Sequence, residues 1–495
     1  MPRNRTLTIK SPLGGKVAKL DLQSQEPYTL YDCRDMWPIS PTNSRARLSV
    51  RPGFASAGGH ASVNLMATLA VAADSSTQES HLRQLMIAKS GSLFKNTSGT
   101  SFTSVGSGID TGRTVHAVSY GNVLYIANSA YKKYAYGGAV ADWTASPGTL
   151  PPRCTMIANF SARIVLAGDP QNPHVVNFSK IDDPDDWDIT AVDDGAAVTV
   201  PDINEPVTCL ITHSQDCLIV GTYKSMWVFN GNPATNGTLS QFSHVVGPIN
   251  STAWCKDPND NTYMLTRDGL YVMPAGCGTA PTLVSRDKIP ESLLGLDGVN
   301  NKAYLEYDTR FQLVHVYVQG TSPQYFHFFP HTTSFWPVTS PGSGILAIMR
   351  YDPLETSNAS GVLIGASDMV RLDRSTTLGG GTLAYATFAP ISISNTPADK
   401  SKVTDSVFTL GEDTDDTTGY FDIHTAEDAE SAAALPAGRK YRIPIAKILS
   451  NRRLWPILAG HKLVLKYVQG STSKKMSFEQ CSLAVTGLGR ERTAG

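Results

Sequence analysis

Apolar and polar positions alternate through most of the chain in short runs, and the runs come in pairs joined by a polar turn. "AVSYGNVLYIAN" from Ala117 is one such pair, and the pattern returns from Met156, Cys209, Ala253, Ala303 and Ala347. Alternation with period two is the signature of a half-buried strand, so each pair predicts a hairpin. The six starts lie 39, 53, 44, 50 and 44 residues apart, and a weaker copy, "QLMIAKSGSLFKNTSG", precedes them from Gln84. Four short strands with their turns need about 40–50 residues, the size of one β-propeller blade. A single blade cannot bury both its faces, whereas blades stacked around an axis bury each sheet against its neighbours. The pattern predicts an all-β fold with a central propeller of six or seven blades over residues 57–375. Alternating strands could also build two sandwiches; the regular interval favours the propeller.

The flanks read differently. Residues 1–56 hold two candidate strands and a turn-rich stretch, and predict an N-terminal arm that crosses onto the propeller or a neighbouring subunit. Beyond Leu378 "LGGGT" reads as a flexible joint, and residues 376–495 predict a smaller, sandwich-like β domain, with "AEDAESAAALPAG" as one helical turn or a solvated loop. Asp268-Gly269, between two apolar runs, is the strongest hairpin signal in the chain.

Composition supports a turn-rich β protein: of 495 residues 41% are hydrophobic and only 17% charged, with 41 Gly and 30 Pro. A formal net charge of -1 supplies no global field toward nucleic acid or an anionic membrane. The charge is uneven, however. Residues 1–56 carry nine Lys or Arg against four Asp or Glu, and residues 437–495 carry twelve against two, while residues 405–430 hold nine carboxylates and no Lys or Arg. The N-terminus has no apolar h-region and "ASVNLMATLAVAA" is too short and interrupted to span a bilayer, so neither a secretion signal nor a membrane span is expected. Seven scattered cysteines without a C-x-x-C pair argue against a disulfide framework and a zinc site. Cys209 and Cys217 could face each other across a hairpin, but buried free thiols are the more ordinary reading.

The densest titratable cluster is "DDPDDWDITAVDDG", with Asp182, Asp183, Asp185, Asp186 and Asp188 around Trp187. A calcium loop of the EF-hand kind needs a glycine at its sixth position and a bidentate carboxylate at its twelfth, and this stretch has neither. "DPNDNTYMLTRD" comes nearer, but Thr262 stands where the glycine belongs. Paired carboxylates for glycoside hydrolysis cannot be recognised from spacing, and a Pro-broken aspartate run is what a solvent-facing loop looks like. Trp187 then anchors the loop by packing, and the loop is a candidate subunit contact. The chain has no G-x-S-x-G elbow, H-E-x-x-H, P-loop or dinucleotide fingerprint, nor the repeated S-x-D-x-G-x-T-W turn of sialidase propellers. No catalytic residue, cofactor or metal is assigned, and the chain is read as a non-enzyme.

Arg45, Arg47 and Arg51 fall on one face of a strand at period two, a spacing suited to phosphates or acidic partner residues; Arg490 and Arg492 repeat it at the C-terminus. These five are candidates for an interface or a DNA channel, against the plainer reading of a solvated strand face or an intersubunit ion pair.

Four stretches, "YDCRDMWPISPTNSRARLSVRPGF", "LAGDPQNPHVVNFSKIDDPDDWD", "LIVGTYKSMWVFNGNP" and "YMLTRDGLYVMP", together resemble the propeller-containing virion proteins of tailed bacteriophages, especially the tail nozzle (tail tubular protein B) of short-tailed phages. The likeness covers residues 30 to 290 best. It implies a structural protein of the virion tail, assembled in the host bacterial cytoplasm as a ring of subunits, commonly six. Such a ring gates and conducts viral DNA at ejection, attaches to a tail adaptor ring and carries tail fibres or spikes. The alternative is a propeller that binds or cleaves host-surface glycans.

Overall fold

The structure is a computed structural model that describes residues 4–18, 20–58, 62–71, 82–98, 101–190, 195–199, 205–243, 246–276, 278–286, 288, 295–298, 300–342, 344–352, 361–378, 382–394, 399–434, 440–450 and 453–490. Seven four-stranded antiparallel sheets follow one another along the chain. Their first strands are Leu65–Val71, His116–Tyr120, Met156–Phe160, Val207–Ser214, Trp254–Lys256, Lys302–Asp308 and Ala347–Tyr351, which open blades 1 to 7. Each of the six predicted repeats from Ala117 to Ala347 begins at or within a few residues of a first strand. First strands pack side by side from blade 1 to blade 4 and from blade 5 to blade 7, and that of blade 7 meets that of blade 1. Between blades 4 and 5 the contact is made by Cys209, Ile211, Met226 and Val228 against Met264 and Met273. The fold is a seven-bladed β-propeller.

Packing explains the strand pattern. Second strands are covered on both faces by adjacent blades, so Arg163–Ala167, Cys217–Thr222, Thr262–Thr266 and Gly361–Gly365 are buried at every position. Outer strands such as Ser101–Ser107 and Thr238–Ser243 are largely exposed and polar. The hairpin turns use left-handed residues where the strand twist demands them: Gly121-Asn122, Ser90-Gly91 and Ser161-Ala162 are two-residue turns with both φ positive. At the predicted Asp268-Gly269 hairpin the two loop residues are Arg267 and Asp268, and Gly269, at φ 131°, pairs with Thr266 as the first strand residue. A Cβ there would lie 2.2 Å from Ser285 Oγ.

Blade 7 has only three strands of its own. Its fourth is Gly53–Gly58, which pairs with Met369–Asp373. The chain therefore closes the ring with its N-terminal part.

Residues 4–50 complete the second domain, and Gly53–Gly58 carries the N-terminal segment onto the propeller. One seven-stranded sheet combines Asn4–Lys10, Met36–Ile39 and Ala46–Val50 with Asp399–Leu410, Arg453–Leu454, Leu458–Gly460 and Ser477–Arg490; a six-stranded sheet combines Leu30–Arg34 with Tyr385–Phe388, Ile391–Ser392, Tyr420–Ala426, Lys440–Pro444 and Lys462–Val468. Leu48, Phe388, Val403, Phe408, Phe421, Tyr467 and Phe478 fill the space between. The uneven charge resolves here, because Arg47, Arg442 and Arg453 from the basic ends pair with Asp413, Asp422 and Asp405 of the acidic run. The alanine-rich segment forms a short helix, Ala429–Ala433, capped by the Asp428 carboxylate accepting from Ser431 N.

The sandwich and propeller share one core. Trp37 packs edge-on against Phe311 and Phe329 of blade 6 and donates from Nε1 to His327 Nδ1 at 2.9 Å. Asp35, with φ 57°, accepts from Arg51 Nε at 2.6 Å and from Thr339 N and Oγ1 at 2.8 and 2.6 Å.

The free cysteines 33, 154, 209, 255 and 481 are buried. Cys217 departs from the expectation of thiols throughout: it is disulfide-bonded. Its partner is not Cys209, which stands opposite Gly221 while Cys217 stands opposite Ser214.

Candidate functional site

The aspartate cluster lies between the third and fourth strands of blade 3 and forms a clasp onto blade 2. Asp182 accepts from Tyr120 Oη at 3.0 Å, and Asp185 from Lys133 Nζ at 2.8 Å. Asp186, 3% exposed, accepts from Lys180 Nζ and from Asp188 N. Asp183 and Asp188 accept from backbone amides two residues on, those of Asp185 and Thr190. Trp187 is buried, packs edge-on against Trp143 of blade 2 with ring centres 6.0 Å apart, and donates from Nε1 to Pro184 O at 2.9 Å. These carboxylates serve turn geometry and the joint between blades. The contact they make is within the chain, and among the described residues no group of three His, Cys, Asp or Glu converges on a common point. The Asp257 stretch behaves alike: its carboxylate accepts from Asn259 N, Asn261 N and Tyr263 Oη and organises a hairpin turn.

Replacing Asp186 with alanine is expected to cost about 1–3 kcal/mol, because it strips a buried acceptor from two donors. Calcium or EDTA should leave the thermal midpoint of the parent protein where it was; a calcium-dependent rise would make the loop a cation site after all.

Of the five arginines, two are corrected as interface or channel candidates. Arg47 is 2% exposed and bound to Asp413 at 2.9 Å and Glu479 at 3.0 Å; Arg51 is 3% exposed in its pair with Asp35. Period-two spacing does place them on one side of a strand, but that side faces the protein interior. Arg45 points to solvent at 3.9 Å from Glu412. Arg490 ends the strand Ser477–Arg490, and Arg492 lies outside the described residues.

A feature invisible in the linear sequence lies on the propeller axis. A funnel of about 740 Å³ opens where the chain enters the first strands of blades 2 to 6. Its floor is a hydrogen bond across the channel, from blade 2 to the approach of blade 5: Ser251 Oγ and His116 Nε2 stand 2.8 Å apart. Both residues also line a second chamber of about 260 Å³ between the inner strands. Burial pushes the His116 imidazole down to about 4, so the plug is neutral near pH 7. Met156, Val207 and Ile249 give the funnel apolar walls, and Arg113, Lys224 and Lys302 line it as exposed cations. Glu205 Oε2 accepts from the hydroxyls of Thr222 and Ser225 in the hairpin that carries Lys224, and Asp297 accepts from Asn300 N and Nδ2. Aligning the repeats by their first strands would have grouped several of these positions, because they precede the strands at similar offsets.

An apolar edge was likewise missed. In the segment 453–460, Trp455 and Ile457 point outward at 60% and 70% exposure while Leu454 and Pro456 point inward, and exposed Leu449 and Val407 lie nearby in sequence or sheet register.

No protein-family model matches the chain, and no curated protein matches it. Solved structures of similar shape include a streptogramin B lyase, with 8% identity over 65% of this chain and 98% of that one at a TM-score of 0.41. Another is the extracellular domain of a putative one-component system from B. thetaiotaomicron, with 13% identity, 81% of this chain, 47% of that one and a TM-score of 0.45. A third is YCF48 bound to a D1 peptide, with 10% identity, 67% and 99% coverage and a TM-score of 0.40. Likeness at this level transfers no function, and the propeller assignment rests on the strand pairing and ring closure above. Among the described residues no helix is long and apolar enough to cross a membrane.

Proposed function

We propose that this chain is a structural component of a short-tailed phage virion, of the tail-nozzle kind, that associates with copies of itself into a ring. The observation that carries the reading is the outward apolar edge at Trp455 and Ile457. Two large side chains presented in the break between the short edge strands Arg453–Leu454 and Leu458–Gly460 make an exposed hydrophobic surface at the sheet edge, the kind of surface that subunit contacts cover. Support also comes from where the phage-like stretches fall: Asp35, Trp37, Arg47 and Arg51 stiffen the sandwich and its junction with the propeller, and Trp187 locks two blades together. In this reading DNA passes through the opening of the ring and not along the propeller axis, which the His116–Ser251 bridge obstructs. The adaptor ring above and fibres or spikes at the side are the partners such a position implies.

Light scattering and negative-stain imaging of the purified protein test it. Closed rings are expected, and Trp455→Glu with Ile457→Asp should convert them to folded monomers that still unfold cooperatively, since within the single chain both side chains are exposed. A protein monomeric at all concentrations, or one that cleaves host polysaccharide, would defeat the assembly reading.

A further inference from the structure

The assembly reading makes no use of the axial funnel. Its size falls within the range of small-molecule sites. Arg113, Lys224 and Lys302 come from blades 2, 4 and 6, so the cations surround the opening instead of lying on one strand. Arg113 has a distant carboxylate, that of Asp110 at 3.9 Å, whereas Lys224 and Lys302 take part in no ion pair among the described residues. Two carboxylates share the lining, Glu205, bonded to the hydroxyls of Thr222 and Ser225 on either side of Lys224, and Asp297, bonded to Asn300, but neither forms an ion pair with these lysines among the described residues. The lining also holds Thr114 and Thr155; Thr208 Oγ1 already donates to Gly221 O and Pro248 O, and the Asn250 amide is engaged by Thr252 and Ala303. Tyr223 adds a ring held under Arg267 at 4.7 Å, with its hydroxyl fixed to Leu296 O.

We infer that the funnel binds a carboxylated sugar unit, with Lys224 and Lys302 taking the carboxylate and the polar lining taking ring hydroxyls. The chemistry argues for this class over its neighbours. Three cations against two carboxylates leave the lining net positive, which favours an anionic ligand. The hydroxyls of Thr114 and Thr155 favour a ligand that carries hydroxyls of its own, and the narrow apolar part of the lining at Met156 and Val207 suits the C–H face of a pyranose. The closed floor makes the site a pocket for a single unit or a chain end, not a passage for a polymer.

The test is calorimetric titration of the full chain with N-acetylneuraminic acid and glucuronic acid, compared with glucose, glucose 6-phosphate and inorganic phosphate. At least one acidic sugar is expected to bind, with glucose weaker by about tenfold or more and affinity falling as salt rises. The double variant Lys224→Ala, Lys302→Ala should lose about tenfold in affinity while keeping the parent's unfolding midpoint, because both side chains are exposed. Arg113→Ala provides a second, independent reduction if the double variant misfolds. Absence of binding by both acidic sugars overturns the inference, as does equal binding of glucose, or binding of glucose 6-phosphate or phosphate as tight as that of the acidic sugars. Ring formation is read separately by light scattering on the same samples, so failure here and failure of the assembly reading are distinguishable.

Discussion

Replacing Asp35 with alanine is expected to destabilise the protein by about 3–5 kcal/mol, the range for removing one partner of a buried ion pair. Arg51 and Asp35 are 3% and 1% exposed, so the guanidinium left behind cannot recover water without opening the junction. The loss spreads further than one pair. Asp35 also holds Thr339 by its amide and hydroxyl, at the exit of blade 6, and Arg51 stacks over Phe54 of the strand that closes blade 7. One carboxylate thus fixes the sandwich, blade 6 and the closing strand at a common point. Asp35→Asn separates charge from shape. Asparagine tolerates the left-handed backbone at φ 57° and can still accept from Thr339, so a cost close to that of alanine would assign the effect to the uncompensated arginine. Urea unfolding followed by intrinsic tryptophan fluorescence, to which the buried junction residues Trp37 and Trp336 contribute, measures the effect. A change below about 1 kcal/mol for Asp35→Ala would show that the junction gains nothing from this pair.

The propeller was legible because its information is local. A two-residue turn such as Gly121-Asn122 declares itself by its left-handed residues, and the strands beside it declare their period, so the repeat length follows from neighbours in sequence. The domain boundaries were not legible in the same way. Gly53–Gly58 pairs with a strand that begins at Met369, and Asn4–Lys10 with one that ends at Arg490; pairing across such separations leaves no periodic trace. The arginines illustrate the ambiguity. Period two says that Arg47 and Arg51 share a side, but the partners that bury Arg47, Asp413 and Glu479, stand 366 and 432 residues away. The one hint was the complementary charge of the basic ends and the acidic run, which pair within the sandwich. The Asp182–Asp188 loop was readable as turns because each Asx interaction spans two residues, whereas its hold on blade 2 through Tyr120 and Lys133 was not. The funnel was hidden for a similar reason: its cations belong to three blades and come together only when the circle closes.

Deleting residues 1–58 is expected to have the largest effect, abolishing cooperative unfolding. The deletion removes the outer strand of blade 7, leaving Met369–Asp373 as an unpaired edge and uncovering Met369 and Leu363 of the blade 7–blade 1 core. It also removes four strands of the sandwich, with Leu30, Trp37 and Leu48 from the shared core, each at most 1% exposed. Loss of that much apolar packing at once exceeds the roughly 5–15 kcal/mol by which domains are ordinarily stable. Calorimetry should show no sharp transition, and the truncated chain should bind a hydrophobic dye and be cut rapidly by protease. Deleting only residues 1–10 provides the graded control. It takes away Asn4–Lys10, a strand bonded to Ser477–Arg490, but leaves Gly53–Gly58 in place, so the propeller ring stays closed and a lowered, still cooperative transition is expected. A chain lacking residues 1–58 that melts cooperatively at the parent's midpoint would mean that the ring holds without its closing strand. The same closure makes the propeller and sandwich one mechanical unit, because the polypeptide leaves the sandwich at Val50, seals blade 7 and re-enters the sandwich at Tyr385.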